Sequence, residues 1–198
     1  MHKKFDHSQS HKLDSEKRRK LLPPGEIINE IGIRKGQMIA DIGCGTGFFT
    51  VPLARAVGNN GKVIVIDIDP VMLKKAEETV SKEKLKNVEI LLSQENSFPI
   101  PENSIDIVFT ATVYHELNEP GQFLKEALKV LKGSGQMIIL DWDKIEEEQG
   151  PPFDHRKDAE TVLTELRNSG FTILKIIPFN KSIYIIQAKK RSYRYLKP

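Results

Sequence analysis

Apolar positions along the chain alternate between two periods. Five short runs, Met38 to Ile42, Val63 to Ile66, Asn87 to Leu92, Asp106 to Thr110 and Gln136 to Trp142, are mostly apolar and read as strands. Val63, Ile64, Val65 and Ile66 follow one another with no polar residue between them, as in a parallel strand buried on both faces. Between the runs lie stripes spaced by three and four residues, which predict helices. One holds Ile27, Ile28 and Ile31 behind Pro23 and Pro24, and Gly32 closes it; others cover residues 47 to 57, 70 to 82 behind Asp69 and Pro70, and about 157 to 169. Phe123, Leu124, Ala127, Leu128, Val130 and Leu131 mark another behind Glu119 and Pro120, ended by the turn Lys132-Gly133-Ser134-Gly135. Alternating strand and helix argue for an α/β domain with a parallel sheet. The last two runs, Phe171 to Pro178 and Ser182 to Lys189, are joined only by the short polar link Asn180-Lys181, which predicts an antiparallel hairpin.

The first strand ends in Asp41-Ile42 and passes into three alternate glycines, Gly43, Gly45 and Gly47. A strand running through such a turn into a helix is expected to face backbone N–H groups toward a small ligand bearing a carboxylate or phosphate. Asp67 ends the second strand 26 positions after Asp41, near the spacing at which a carboxylate meets a ribose in nucleotide-binding βαβ units. Dinucleotide enzymes use G-x-G-x-x-G, however, whereas the chain reads D-x-G-x-G-x-G.

That stretch resembles the first motif of class I S-adenosylmethionine-dependent methyltransferases, and VIVIDIDPVML resembles the second. FPIPENSID is similar to the turn before strand four in the small-molecule branch that holds the ubiquinone and menaquinone C-methyltransferases, and KVLKGSGQMIIL to the helix, turn and strand that follow. The resemblance implies a Rossmann-like α/β fold, a seven-stranded mostly parallel sheet with helices on both faces and a C-terminal antiparallel hairpin. It implies S-adenosyl-L-methionine as co-substrate, with Asp41 near its amino group, Asp67 at its ribose and Ile68 against its adenine. Gly43, Cys44, Gly45, Gly47, Met72, Thr110 and Ala111 are expected around it. Family members often carry an acid where Gln94 stands, so Gln94 or the adjacent Glu95 is expected at the adenine amino group.

Composition narrows the reading. One cysteine excludes an internal disulfide, and arsenite methylation, which needs several thiols, is not expected. Cys44 reads as a small side chain tolerated in the turn rather than a nucleophile. No apolar stretch approaches the ~20 residues that span a bilayer and no signal-peptide core stands at the N-terminus, so a cytoplasmic protein without membrane insertion is expected. The net charge of +3 conceals an asymmetry: residues 1 to 20 hold seven Lys and Arg against three acids and residues 189 to 198 five against none, leaving 18 against 24 between. The body is acidic, no Asn-Pro-Pro-Tyr follows strand four, and no specific nucleic-acid partner is expected. His2, His7 and His11 have no convergent partner, and no metal site is expected.

These readings divide the chain into a polar segment 1 to 20, a methyltransferase domain 21 to 189 and a basic tail 190 to 198. The expected activity is methyl transfer to a small-molecule acceptor. A non-catalytic S-adenosylmethionine-binding module and an NAD-dependent oxidoreductase are the alternatives. The acceptor is expected beyond strand four, near Tyr114, His115 and Glu116, with His115 the candidate base. The N-terminal segment with Phe5, His11 and Leu22, and the loop around His155 and Arg156, are expected to be free to fold over as a lid.

Overall fold

The computed structural model describes residues 13–191. Its strands are β1 (Met38–Ile42), β2 (Lys62–Asp67), β3 (Val88–Leu92), β4 (Ile105–Ala111), β5 (Leu131–Trp142), β6 (Phe171–Pro178) and β7 (Ile183–Lys190). They form one sheet in the order β3-β2-β1-β4-β5-β7-β6. The first five are mutually parallel, and β7 lies antiparallel to both β5 and β6. The expected fold class and terminal hairpin are therefore present, with β7 seated between β5 and β6.

Alternation along the central strands sends side chains to two cores. Ile39, Val63, Val65, Ile107 and Phe109 pack against α2 (Pro24–Ile31), α3 (Thr50–Val57) and α4 (Pro70–Lys82). Ala40, Ile42, Ile64, Ile66 and Val108 face α5 (Pro120–Val130) and α6 (Ala159–Asn168). Local signals set the helix ends. Asp69 accepts the Val71 N–H (2.8 Å) ahead of Pro70, and Asp158 accepts the Thr161 N–H (2.8 Å). The link from β3 to β4 contains no helix, and Phe98 and Ile100 fill the core where one would pack.

Three boundaries depart from expectation. The helix expected from residue 47 begins at Thr50, because the turn before it needs left-handed backbone at Gly45 and Gly47 (φ +56° and +86°). Residues 132 to 135 do not separate α5 from β5 but form an irregularity within it: Leu131 already pairs with Ile105, and the ladder resumes at Gln136. The polar N-terminal segment contains a helix, α1 (Glu16–Leu21), whose first turn is capped by the Ser15 hydroxyl. Leu22, expected in a mobile lid, is buried in the core beside α2, while Phe5 and His11 lie outside the described residues.

Candidate active site

β1 runs between β2 and β4, so successive connections leave it toward opposite sides and open a crevice at the strands' carboxyl ends. A cavity of about 1030 Å³ occupies it, roofed by α1. Of the expected cofactor residues, Asp41, Gly43, Cys44, Gly45, Asp67, Ile68, Met72, Gln94, Glu95 and Ala111 line its wall; Gly47 and Thr110 do not. A Cβ on Gly47 would stand 3.4 Å from the Ala76 backbone, so this glycine brings the turn against α4. Thr110 is fully buried inside β4.

Four N–H groups of the glycine turn point to the protein rather than to a ligand. Those of Gly43 and Cys44 donate to the Ile66 carbonyl (2.8 and 3.2 Å), that of Gly45 to Asp67 Oδ2 (2.9 Å) and that of Gly47 to the Cys44 carbonyl (3.0 Å). Those four amides are not available to cradle a pyrophosphate, which weakens the case for a dinucleotide. The turn is shaped instead for close approach. A Cβ on Gly43 would lie 2.7 Å from a Val113 methyl group, so the segment after β4 closes directly over the turn.

Carboxylates furnish the floor. Asp41, 2% exposed, accepts the Thr50 hydroxyl (2.7 Å) and is pushed up to about 7, chiefly by burial. Asp67 Oδ1 accepts the Asp69 N–H (3.0 Å), so the expected ribose carboxylate also holds two backbone amides and joins the glycine turn to the entry of α4. Burial raises its pKa too, against those hydrogen bonds. Cys44 lies buried near both, and burial with the two carboxylates holds its thiol protonated. Ile68 is 38% exposed at the cavity rim, as a side chain that stacks on a ligand face can be. Glu95 Oε1 and Oε2 accept the Asn118 backbone and side-chain N–H groups (2.8 and 3.1 Å), which ties it to the far wall and leaves Gln94 the more exposed of the pair.

Beyond β4 the structure separates the residues expected around the acceptor. His115 and Glu116 line the cavity. Tyr114 does not: it is fully buried edge-on to Phe123, and its hydroxyl donates to Glu165 (2.7 Å). His115 is held by a residue the sequence reading missed. Asp141, fully buried at the end of β5, accepts the His115 backbone N–H on Oδ2 (2.9 Å) and lies 2.7 Å from the imidazole Nδ1 through Oδ1. Burial lowers the imidazole pKa, but the charge and hydrogen bond of Asp141, helped by Glu116, outweigh burial and Arg156, and the net shift is upward. Asp141 repeats the signal that revealed Asp41 and Asp67, an apolar run ending in an acid, and could have been found by it.

The roof was also missed. Leu13, Ser15, Lys17, Arg18 and Leu21 line the cavity from above. Asp14 accepts the Thr46 hydroxyl (3.0 Å), and Arg18 donates to the Thr112 hydroxyl (3.0 Å). Thr112 has φ +57°, a strained conformation for a β-branched residue of a kind that clusters at functional sites. Its N–H bond to the Leu140 carbonyl (2.8 Å) and the Arg18 contact hold it there. The loop expected as a lid is fastened by Arg156, which is 2% exposed. Arg156 donates to the carbonyls of Pro151 (2.9 Å), Ile145 (3.1 Å) and Gln149 and to Glu147 (2.7 Å), and stacks on Trp142. Gln149, Gly150 and Pro151 from this loop reach the cavity, and His155 does not.

Known proteins share both the fold and this arrangement of sequence. A methyltransferase-domain family pattern matches residues 33–194. The ubiquinone/menaquinone biosynthesis C-methyltransferase UbiE of Salmonella arizonae is 33% identical over 119 residues, 57% of this chain and 45% of that protein. The chain thus spans less than half the length of the curated relatives it matches. A SAM-dependent methyltransferase from Aquifex aeolicus superposes with a TM-score of 0.90 at 37% identity, covering 93% of this chain and 98% of that one. Phosphoethanolamine N-methyltransferase 2 of Haemonchus contortus, solved with S-adenosyl-L-methionine, shares the fold at 17% identity (TM-score 0.71, 86% and 52% covered). The chain belongs to the class I S-adenosylmethionine-dependent methyltransferases. Its residues suit that co-substrate: buried Asp41 can meet an ammonium and Asp67 a ribose, and Gly43 removes the side chain that would meet Val113 at the turn.

Proposed function

We propose that the chain transfers the methyl group of S-adenosylmethionine to a small, largely apolar acceptor bound in the same cavity, as a cytoplasmic enzyme. The observation that carries this is the cavity's size. At about 1030 Å³ it reaches the upper end of the ~300 to 1000 Å³ usual for one ligand, and it continues past the Asp41 and Asp67 floor to His115, Trp142, Leu117 and Pro151. Apolar and aromatic walls favour a ring or hydrocarbon acceptor. The name of the Salmonella relative, a C-methyltransferase of ubiquinone and menaquinone biosynthesis, agrees with such chemistry. Among the described residues no helix is long and apolar enough to cross a membrane, consistent with an enzyme that meets its acceptor in water or at a membrane surface.

The co-substrate supplies an electrophilic methyl group, which asks the protein for an in-line approach and, for an acceptor bearing a proton, a base. Positioning can supply most of the acceleration. His115 is our candidate base. Asp141 at Nδ1 fixes the imidazole's orientation and tautomer, leaving Nε2, 3.7 Å from Glu116 Oε1, as the basic nitrogen. Its raised pKa makes it a stronger base whose neutral fraction grows as pH rises. Incubating the purified protein with methyl-labelled S-adenosylmethionine and fractionated small-molecule extracts should yield S-adenosylhomocysteine and a labelled, organic-extractable product. If S-adenosylhomocysteine forms only when protein or RNA is supplied, the small-molecule assignment is wrong; if it never forms, the domain binds without catalysis.

A further inference from the structure

The turn that carries His115 is too short to hold itself. It is a single 3-10 turn, Tyr114–Glu116, closed by the Glu116 N–H on the Val113 carbonyl (2.8 Å) and, at 3.4 Å, by the Leu117 N–H on the Tyr114 carbonyl. The chain enters it from Thr112, whose left-handed backbone (φ +57°) is strained for a β-branched residue and persists only where surrounding contacts over-determine it. Asp141 supplies one anchor beyond that point, on the His115 N–H and on Nδ1. With this contact alone the turn could pivot about the imidazole and its carboxylate. The second anchor is Tyr114. Adjacent residues of a 3-10 turn point about 120° apart, so fixing Tyr114 fixes the turn's rotation and with it the direction of His115.

Tyr114 is held by more than packing requires. Its fully buried ring stands edge-on to Phe123, and a phenylalanine would fill the same space without burying a polar group. The hydroxyl instead donates to Glu165 Oε2 (2.7 Å). Burial, then Glu165, push the phenol well above its ordinary range, so it remains a donor. Glu165 stands on α6, whose Val162, Leu163 and Leu166 are fixed in the core. Its Oε1 accepts from Lys157 Nζ (2.8 Å), and the same ammonium lies 5.5 Å over the Tyr114 ring. Both carboxylate oxygens are engaged and the charge is balanced in place. A bond from a phenol to a carboxylate is short and directional, and low local dielectric strengthens it. We propose that Tyr114 is a positioning residue: tied to α6 through Glu165 and Lys157, it sets the turn so that His115 Nδ1 stays on Asp141 and Nε2 faces the cavity. This inference rests on the reading of His115 as the base for methyl transfer.

Proton NMR of the full chain tests the geometry without any acceptor. An imidazole N–H bonded to a buried carboxylate resonates at low field, and the wild-type signal is assigned by its loss in His115→Ala. Tyr114→Phe keeps the ring and removes the hydroxyl. The low-field signal should then broaden or vanish, while calorimetric affinity for S-adenosylhomocysteine, set at the Asp41 and Asp67 floor, is unchanged. Glu165→Gln, whose amide oxygen can still accept from the phenol, should retain part of the signal. Glu165→Ala should lose it, and serves in place of Tyr114→Phe if that variant does not fold. Turnover with methyl-labelled S-adenosylmethionine and small-molecule extract should fall roughly 10-fold to 100-fold on Tyr114→Phe, yet not fall further when the same change is made in His115→Ala. An unchanged signal with full turnover would make the Tyr114 bond a stabilising contact only; an equal loss in both backgrounds would mean that it does not act through His115. Either result overturns the proposal, as does a folded wild type that lacks the low-field signal. If wild type forms no S-adenosylhomocysteine with any extract, the functional reading is overturned instead, and this inference with it.

Discussion

Asp41→Asn should remove one component of the protein's loss of stability with rising pH. Asp41 is buried at the end of β1 and hydrogen-bonded to Thr50; burial pushes it up to about 7, the Thr50 hydroxyl opposes that rise, and the charge of Asp67 adds to it. In an unfolded chain the same carboxyl titrates near ~4. Between those values the folded state holds a proton that the unfolded state has released, so stability is greatest below the unfolded pKa and falls as pH rises toward 7. A span of about three units at ~1.4 kcal/mol each gives a loss on the order of 4 kcal/mol, of which about 2 to 3 kcal/mol falls between pH 5 and pH 8. The amide of the variant cannot ionise, so urea unfolding of both proteins should show wild type losing that amount relative to the variant across this range. Ligand binding should move the other way. An ammonium beside Asp41 favours its ionised form, so wild-type affinity for S-adenosylhomocysteine should rise from pH 5 to pH 8, while the variant binds roughly 10-fold to 100-fold more weakly at pH 8. Parallel stability curves from pH 5 to pH 8 would refute the argument that Asp41 is protonated in the empty site.

Asp67→Ala should weaken S-adenosylhomocysteine binding by about 1.5 to 3 kcal/mol and lower the melting temperature, because Gly45 and Asp69 lose their acceptor. Unchanged affinity would mean the ribose meets another carboxylate. His115→Ala should leave S-adenosylhomocysteine affinity nearly intact while slowing turnover by about 10²-fold to 10⁴-fold. Asp141→Asn should shift the acid limb of the pH–rate profile to lower pH, since Asp141 holds the imidazole pKa up; full turnover of His115→Ala from pH 6 to 9 would remove the base from the mechanism. Arg156→Met should destabilise the fold by on the order of 3 kcal/mol, because it leaves the carbonyls of Ile145 and Pro151 without a buried donor. A variant as stable as wild type would show that the 143 to 151 loop holds itself.

What could be read from the sequence followed from periodicity and from repeated local signals. Apolar runs and apolar stripes located the seven strands and helices α2 to α6 of the described residues, most sharply at β1, β2 and β4, where burial on both faces leaves little freedom in the pattern. Asp41 and Asp67 stood out because an acid ending an apolar strand needs a partner. Residues fixed by contacts distant in sequence were not legible. α1 is a polar six-residue helix that no amphipathic stripe marks; its place over the cavity depends on Asp14 meeting Thr46 and Arg18 meeting Thr112, 94 positions away. Tyr114 and His115 are adjacent and looked equivalent, but the turn after β4 sends one into the core toward Glu165 and the other to the cavity. Amide partners in the glycine turn could not be foreseen either, because the Ile66 carbonyl that takes two of them belongs to the neighbouring strand.

The place of β7 between β5 and β6 bears on how the polypeptide is made. Strands β1 to β5 can assemble in step with synthesis, each beside one already present, but β6 emerges before the strand that will separate it from β5. Until residues 183 to 190 leave the ribosome, β5 ends the sheet with a bare row of amides and carbonyls, and β6 has no partner in the sheet. The slot that β7 fills is two strand spacings wide, ~9.6 Å, and its walls are Gln136 to Trp142 and Phe171 to Pro178. An open edge of that length is a template for strands of other nascent copies, so the interval before β7 is inserted is when this protein most needs dilution or a chaperone.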